Sequence, residues 1–256
     1  QINYMNWKKK IIFLKKLVMK KLLLSIILVS SFSFSQETDY EGFMNFSYND
    51  DSGKIILEIK NLDSEFMYIN SLSRGVGNND LGLDRGQLGN SRVVYFTKRG
   101  NKILLIQPNL RYVSNSSNYL ENKAVEEAFA RSVLFGFDII EKSNDSYKID
   151  ITSFLISDAH GVSQRLKYSN SGSYTLNKSM SAIDLDRTKA FPKNIEFDVL
   201  LTFTGNPSGN LVRSVTPTAS NLTVNQHHSF VELPDNNYKK RRILSLWPKK
   251  TYNDWL

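Results

Sequence analysis

Three histidines, no cysteine and a scatter of carboxylates are the side chains this sequence offers for metal binding. Without Cys, disulfides, thiolate metal sites and a cysteine nucleophile are excluded together. A zinc site would have to combine His with Asp or Glu. His160, in Asp158-Ala159-His160-Gly161, stands alone and reads as a loop or helix end. His227 and His228 are neighbours in a strand-like run over residues 222–233, where consecutive side chains point to opposite faces, so both cannot grip one ion. His228 falls with Leu222, Val224 and Phe230, the inward set, and His227 with Asn225 and Ser229 on the outward set. A bulge at residues 225–226 would exchange the two faces. The chain has neither a His-Glu-x-x-His helix nor a Gly-x-Ser-x-Gly elbow. Glu126 and Glu127 suit a solvated helix face, and Asp184 and Asp186 flank a strand end. No residue is assigned as catalytic, cofactor-binding or metal-ligating.

The longest irregular stretch, residues 73–90, is rich in Gly, Asp and Asn. Gly75 and Gly77 begin a phosphate-loop spacing, but the third glycine falls at Gly82 and no Lys follows. Asp80 and Asp84 hint at calcium, without the EF-hand spacing or its closing Glu. The stretch is either a long ordered loop whose glycines permit positive φ or an interaction loop. The interaction candidates are therefore Asp80, Asp84 and Arg85 here, with Gln226 and His227 on the strand.

The elements that would position these residues are mostly strands. Met44, Phe46 and Tyr48 alternate with polar residues, a turn follows at Asp51-Ser52-Gly53, and Ile55, Leu57 and Ile59 alternate again. Residues 92–98 and 102–107 form a second hairpin, whose run Ile103-Leu104-Leu105-Ile106 is apolar on both faces and so belongs mid-sheet. Residues 137–141 and 147–151 pair about Ser143-Asn144-Asp145. Ile195, Phe197, Val199, Leu201 and Phe203 hold an unbroken period of two, which puts them in the core and leaves Glu196 and Asp198 exposed. Val125, Phe129 and Val133 have helical spacing, with Asn118 as cap and Gly136 as stop. A short second helix fits residues 158–166. The expected class is α+β, mainly β: antiparallel sheets, sandwich-like, with one or two edge helices.

Charge excludes one class of partner. The formal net charge is +8, yet residues 1–35 hold seven Lys and no acid, and residues 239–256 hold six basic residues against one Asp. The body between them carries 20 basic and 24 acidic side chains, a net of −4. A duplex-binding domain needs its basic excess on the folded body, so no nucleic-acid partner is expected.

Residues 19–36 have the anatomy of a cleaved secretory signal. Lys20 and Lys21 lead, residues 22–34 give an apolar stretch, and Ser33 and Ser35 precede Gln36. The stretch is short of the ~20 residues that span a bilayer. An uncleaved anchor helped by the apolar residues 11–14 is the competing reading. No Cys follows to carry lipid. The protein is expected to be exported, periplasmic or extracellular, with no stable membrane anchor after cleavage. Translation is expected to start at Met19, the earlier residues being upstream sequence.

Several stretches resemble one family. They are Glu65-Phe66-Met67-Tyr68-Ile69-Asn70-Ser71-Leu72; Asn79-Asp80-Leu81-Gly82-Leu83-Asp84-Arg85-Gly86-Gln87-Leu88-Gly89; Asp158-Ala159-His160-Gly161-Val162; Arg213-Ser214-Val215-Thr216-Pro217; and Gln226-His227-His228-Ser229-Phe230-Val231-Glu232-Leu233-Pro234-Asp235. Together, over roughly residues 37–242, they resemble the amino-terminal domain of unknown function of secreted, metzincin-like zinc metalloproteases. The resemblance implies a zinc-bearing catalytic domain downstream, outside this sequence. It divides the chain into residues 1–35 (upstream residues and signal), 37–242 (the β-rich domain) and an aberrant tail over 243–256, as a fragment would show. The chain itself is then expected to bind no cofactor. Its implied role is a non-catalytic accessory module packing on the catalytic domain, and a peptide substrate is compatible with that role. The alternative is a periplasmic module binding peptide or glycan with the Gly-rich loop as its mouth. A hydrolase with unrecognised carboxylate chemistry is a third reading.

Overall fold

A computed structural model describes residues 37–114 and 116–235, together with Lys16 and Met19. The signal segment after Met19 and the 243–256 tail lie outside the described residues. Among the described residues eleven strands form one antiparallel sheet: β1 (Glu37–Tyr40), β2 (Phe46–Asn49), β3 (Lys54–Ile59), β4 (Glu65–Arg74), β5 (Leu88–Arg99), β6 (Lys102–Gln107), β7 (Ser132–Lys142), β8 (Tyr147–Asp150), β9 (Gly172–Phe191), β10 (Asn194–Pro207) and β11 (Asn221–Glu232). Their spatial order is β1-β2-β3-β8-β7-β6-β5-β4-β11-β10-β9. Helices α1 (Tyr119–Ala128), α2 (Thr152–Leu155) and α3 (Val162–Tyr168) occupy connections, and Asn79–Leu81 makes a single 3₁₀ turn.

The protein is mainly β and antiparallel, as the alternating patterns require. The two packed layers anticipated from the sequence are the two halves of this one sheet, curled so that they face each other. Phe46 of β2 meets Phe197 of β10 with ring centroids 4.8 Å apart, although eight steps of strand order separate the two strands. Phe197 in turn meets Phe230, and Phe230 meets Phe66. Ile195, Phe197, Val199, Leu201 and Phe203 are all fully buried, and β6 is central, as the period and the two-sided run implied. At the seam the Phe43 N–H donates to the Phe191 carbonyl, tying the β1–β2 connection to the end of β9. A Cβ at Gly42 would come within 2.7 Å of that carbonyl oxygen, so only glycine lets the chain approach. Gly42→Ala is expected to cost about 1–3 kcal/mol, read as a lower urea midpoint with an unchanged slope.

Two element boundaries differ from the sequence reading. Asn118 does cap α1, accepting from the Leu120 N–H at 2.9 Å, but the helix ends at Ala128. Val133 and Gly136 belong to β7 instead, paired with Ile106 and Leu104 of β6. Ladder hydrogen bonds along a buried central strand outweigh two more turns of an exposed helix. The second helix starts at Val162, because the Asp158 carboxylate accepts from the N–H groups of Val162 and Ser163. Asp184 and Asp186 lie within the long β9 rather than at a strand end.

Candidate functional site

Strand β11 pairs with β10 without interruption from Asn221 to Val231. Its pairing with β4 shifts register at Asn225–Gln226, but the faces are not exchanged. Leu222, Val224, Gln226, His228 and Phe230 point inward and are buried, and His227 is on the other side, partly exposed. The two histidines therefore enter two unlike environments.

On the inner face the His228 ring is fully buried. Its Nδ1 lies 2.9 Å from the Tyr68 hydroxyl, and its Nε2 lies 3.0 Å from the Leu155 carbonyl and 2.9 Å from Gln226 Nε2. Either neutral tautomer is served. With the proton on Nε2 the ring donates to Leu155 and accepts from Tyr68. With it on Nδ1 the ring donates to Tyr68 and accepts from Gln226. Burial pushes the ring pKa down to about 4, against the pull of the Leu155 carbonyl and helped by the charge of His227. Burial likewise raises the Tyr68 phenol to about 12. Gln226, also fully buried, donates to the Ser157 carbonyl and accepts from the His160 N–H at 2.9 Å each. It ties β11 to the α2–α3 connection.

From Gln226 the network runs outward to a cleft. Asn70 is 1% exposed and donates through Nδ2 to the Ala159 carbonyl, which leaves Oδ1 facing His160 Nδ1 at 3.3 Å. That polarity puts the imidazole proton on Nδ1 and leaves Nε2 as an acceptor. Burial lowers the His160 pKa; Asp158 opposes this and Arg165 adds to it, so the ring is neutral at pH 7. Gly89 passes so close that a Cβ there would fall 1.7 Å from Asn70 Oδ1. The cleft, about 320 Å³, lies between the Gly-rich loop and α3, with His160, Gln164, Arg165 and Tyr168 on one wall and residues 87–90 on the other.

On the outer face His227 is clamped between two carboxylates. Its Nε2 is 2.7 Å from Glu196 Oε2 and its Nδ1 is 3.1 Å from Asp198 Oδ2. Burial opposes the imidazolium, but bonds to Asp198 and Glu196 together with their charges raise its pKa to about 9. Both carboxyls are held below their ordinary range: burial would raise them, and the bonds from His227 and its neighbours overcome it. Asn225 Nδ2 donates to Asp198 at 2.9 Å and to Asp184 at 3.0 Å. The sequence placed Glu196 and Asp198 in solvent. Instead Asp198 is fully buried and the Glu196 side chain is 17% exposed. A buried carboxylate is costly only when unpaired, and here the cation comes from the adjacent strand.

Of the five interaction candidates, Gln226 and His227 are the hubs of these two networks. Asp80 and Arg85 are exposed on the loop, Asp84 is half-buried, and none of the three lines the cleft. The loop is ordered by its own apolar residues: Val76, Leu81 and Leu83 are buried. Among the described residues no group of His, Cys, Asp or Glu is arranged to hold a metal ion. No helix there is long and apolar enough to cross a membrane.

A third feature is apolar. The connection from β6 into β7 exposes Leu110, Tyr112, Val113, Tyr119, Leu120 and Phe129, and the start of β7 exposes Val133. Helix α1 buries none of its residues. Tyr112 stacks on Phe129 at 4.1 Å and, with Tyr95 and Pro108, lines a groove of about 350 Å³.

A family model described as "Domain of unknown function (DUF5117)" matches residues 86–243. No curated protein and no solved structure matches the chain.

Proposed function

Because the chain belongs to the family of the domain of unknown function DUF5117, we propose that it is a non-catalytic accessory module, packing against the catalytic domain of an exported zinc metalloprotease. The observation that carries this is the exposed β6–β7 connection. A helix of ten residues is marginal in water unless an apolar face packs on something, and α1 buries none of its residues against this body. Exposed apolar side chains grouped in this way mark interaction surfaces. The protease as partner rests on the motifs quoted above, and zinc belongs to that partner in this reading. The histidines do not argue for catalysis: His228 is sealed inside, and both nitrogens of His227 are occupied by carboxylates.

The test mixes the purified chain with a separately produced zinc-protease domain from a protein that carries both regions. Co-elution is expected, and Tyr119→Asp with Leu120→Asp should weaken the complex at least ~10-fold, about 1.4 kcal/mol. Both side chains are largely exposed, so the variant folds. Separate elution up to the solubility limit, or an unaffected double variant, refutes the proposal. A second reading, a periplasmic peptide- or glycan-binding module, is favoured by one observation, the polar cleft between the Gly-rich loop and α3.

A further inference from the structure

We infer that the cleft beside His160 binds the carboxylate of a peptide, with the Arg165 guanidinium as its charge partner. This site is separate from the β6–β7 surface and does not depend on the docking role.

The cleft lining contains no Asp or Glu, although the body of the protein is acidic. Arg165 makes no side-chain hydrogen bond or ion pair with any described residue. Its guanidinium lies over Gly82, where an added Cβ would be 2.8 Å from Nη2. The nearest acid in sequence, Asp158, has both oxygens engaged by the N–H groups of Val162 and Ser163. The cleft thus presents a cation with no ion-pair partner among the described residues, with fork geometry suited to a carboxylate.

Beside it, His160 is held in one orientation by a buried chain. Gln226 fixes its backbone and Asn70 fixes its ring, and Gly89 leaves Asn70 the room it needs. Nε2, with no partner among the described residues, is an acceptor pointing a neutral imidazole edge into the cleft. One positive charge beside one neutral acceptor suits a monoanion that carries an N–H donor. A phosphate dianion would bring two negative charges to a cleft that offers one guanidinium. A carboxylate next to an amide is that pairing, and Asn90 and Gln164 supply further amide groups for a peptide backbone. A cleft of about 320 Å³ is at the small end of ligand pockets, large enough for two or three residues. Tyr168 accepts from Gln164 at 2.8 Å and offers an exposed ring beside them.

Calorimetric or NMR titration of the whole chain alone tests this. The probes are acetyl-Ala-Ala with a free carboxylate, the same peptide as its amide, acetyl-Ala-Glu-Ala-amide and inorganic phosphate. At least one carboxylate probe is expected to bind ~10-fold or more tightly than the neutral amide, a difference of one charge-assisted pair. Which of the two it is decides between a chain terminus and an acidic side chain. Arg165→Gln should remove that preference while the far-ultraviolet spectrum stays unchanged, since Arg165 is exposed. The inference is overturned by equal binding of acid and amide, by an unaffected Arg165→Gln variant, by phosphate binding tighter than both carboxylates, or by no binding of any probe. Because the partner domain is absent, failure here leaves the docking proposal standing.

Discussion

Replacing His227 by Ala is expected to destabilise the fold by about 3–5 kcal/mol, the range for removing one partner of a buried charge pair. The cost is not lost contact area, since the ring is partly exposed. It is the repulsion and desolvation left behind: Asp198 is fully buried and Glu196 largely so, its side chain 17% exposed, and without the imidazolium two carboxylates face one another across the vacated site. Urea unfolding of the variant should show this as a large fall in midpoint. Adding Asp198→Asn should recover part of the loss by removing one charge, a coupling that a double-mutant cycle reads directly. A His227→Ala variant as stable as the parent would mean the clamp contributes nothing. On sequence alone this residue reads as an outward side chain whose loss costs little. The cross-strand register makes it the cation of a buried triad.

The same geometry fixes the pH dependence. The folded pKa of His227, about 9, lies above its ordinary 6.5. Its contribution is therefore complete below about pH 6.5 and is lost as pH rises through 9. Glu196 and Asp198 are shifted the other way, so their contribution is present above their ordinary values of 4.5 and 3.8 and fades as pH falls below them. Stability of the parent should decline between pH 6.5 and 9, and the decline should vanish in the His227→Ala variant.

The sequence showed the sheet more readily than the site. Period two along β10 needs only the chain itself, and it identified five buried positions correctly because slipping by one residue would expose them all. The burial of Asp198 depends on which residue of another strand stands opposite it, and that residue is 29 positions away. Alternation can say that His227 and Asp198 are both outward on their strands, not that they meet. The helix boundary failed for a related reason. Val125, Phe129 and Val133 keep a helical spacing, but Val133 is captured by Ile106 of β6, a non-local pairing that local periodicity does not see. The cleft was half visible: the Gly-rich loop stood out, but its chemistry is on α3 and at Asn70, which looked like an ordinary strand residue. The only available signal was an Asn at a position that the pattern of Phe66, Tyr68 and Leu72 marks as inward.

His228 should behave as the opposite of its neighbour. His228→Ala is expected to cost about 3 kcal/mol, from a cavity in a close-packed core and from polar groups stripped of partners. The Tyr68 hydroxyl loses its bond and the Leu155 carbonyl loses its donor, both in the interior. The ring also packs against Tyr68 and Phe154, with centroids 5.9 and 5.5 Å away. Separating packing from bonding requires a second variant. His228→Leu keeps volume and removes both ring nitrogens, so whatever loss it retains measures the orphaned Tyr68 and Leu155 groups, and adding Tyr68→Phe should then restore part of it. The pH signature also inverts. The folded pKa, about 4, lies below the ordinary 6.5, so the contribution is complete above pH 6.5 and is lost as pH falls through 4, when the unfolded chain takes up a proton the core refuses. Parent protein should lose stability over that acid window and His228→Leu should lose less, while His227→Ala should leave the window in place. Equal acid sensitivity in His228→Leu and parent would show that the carboxylates alone govern acid unfolding, and that the buried ring is not the acid-labile group.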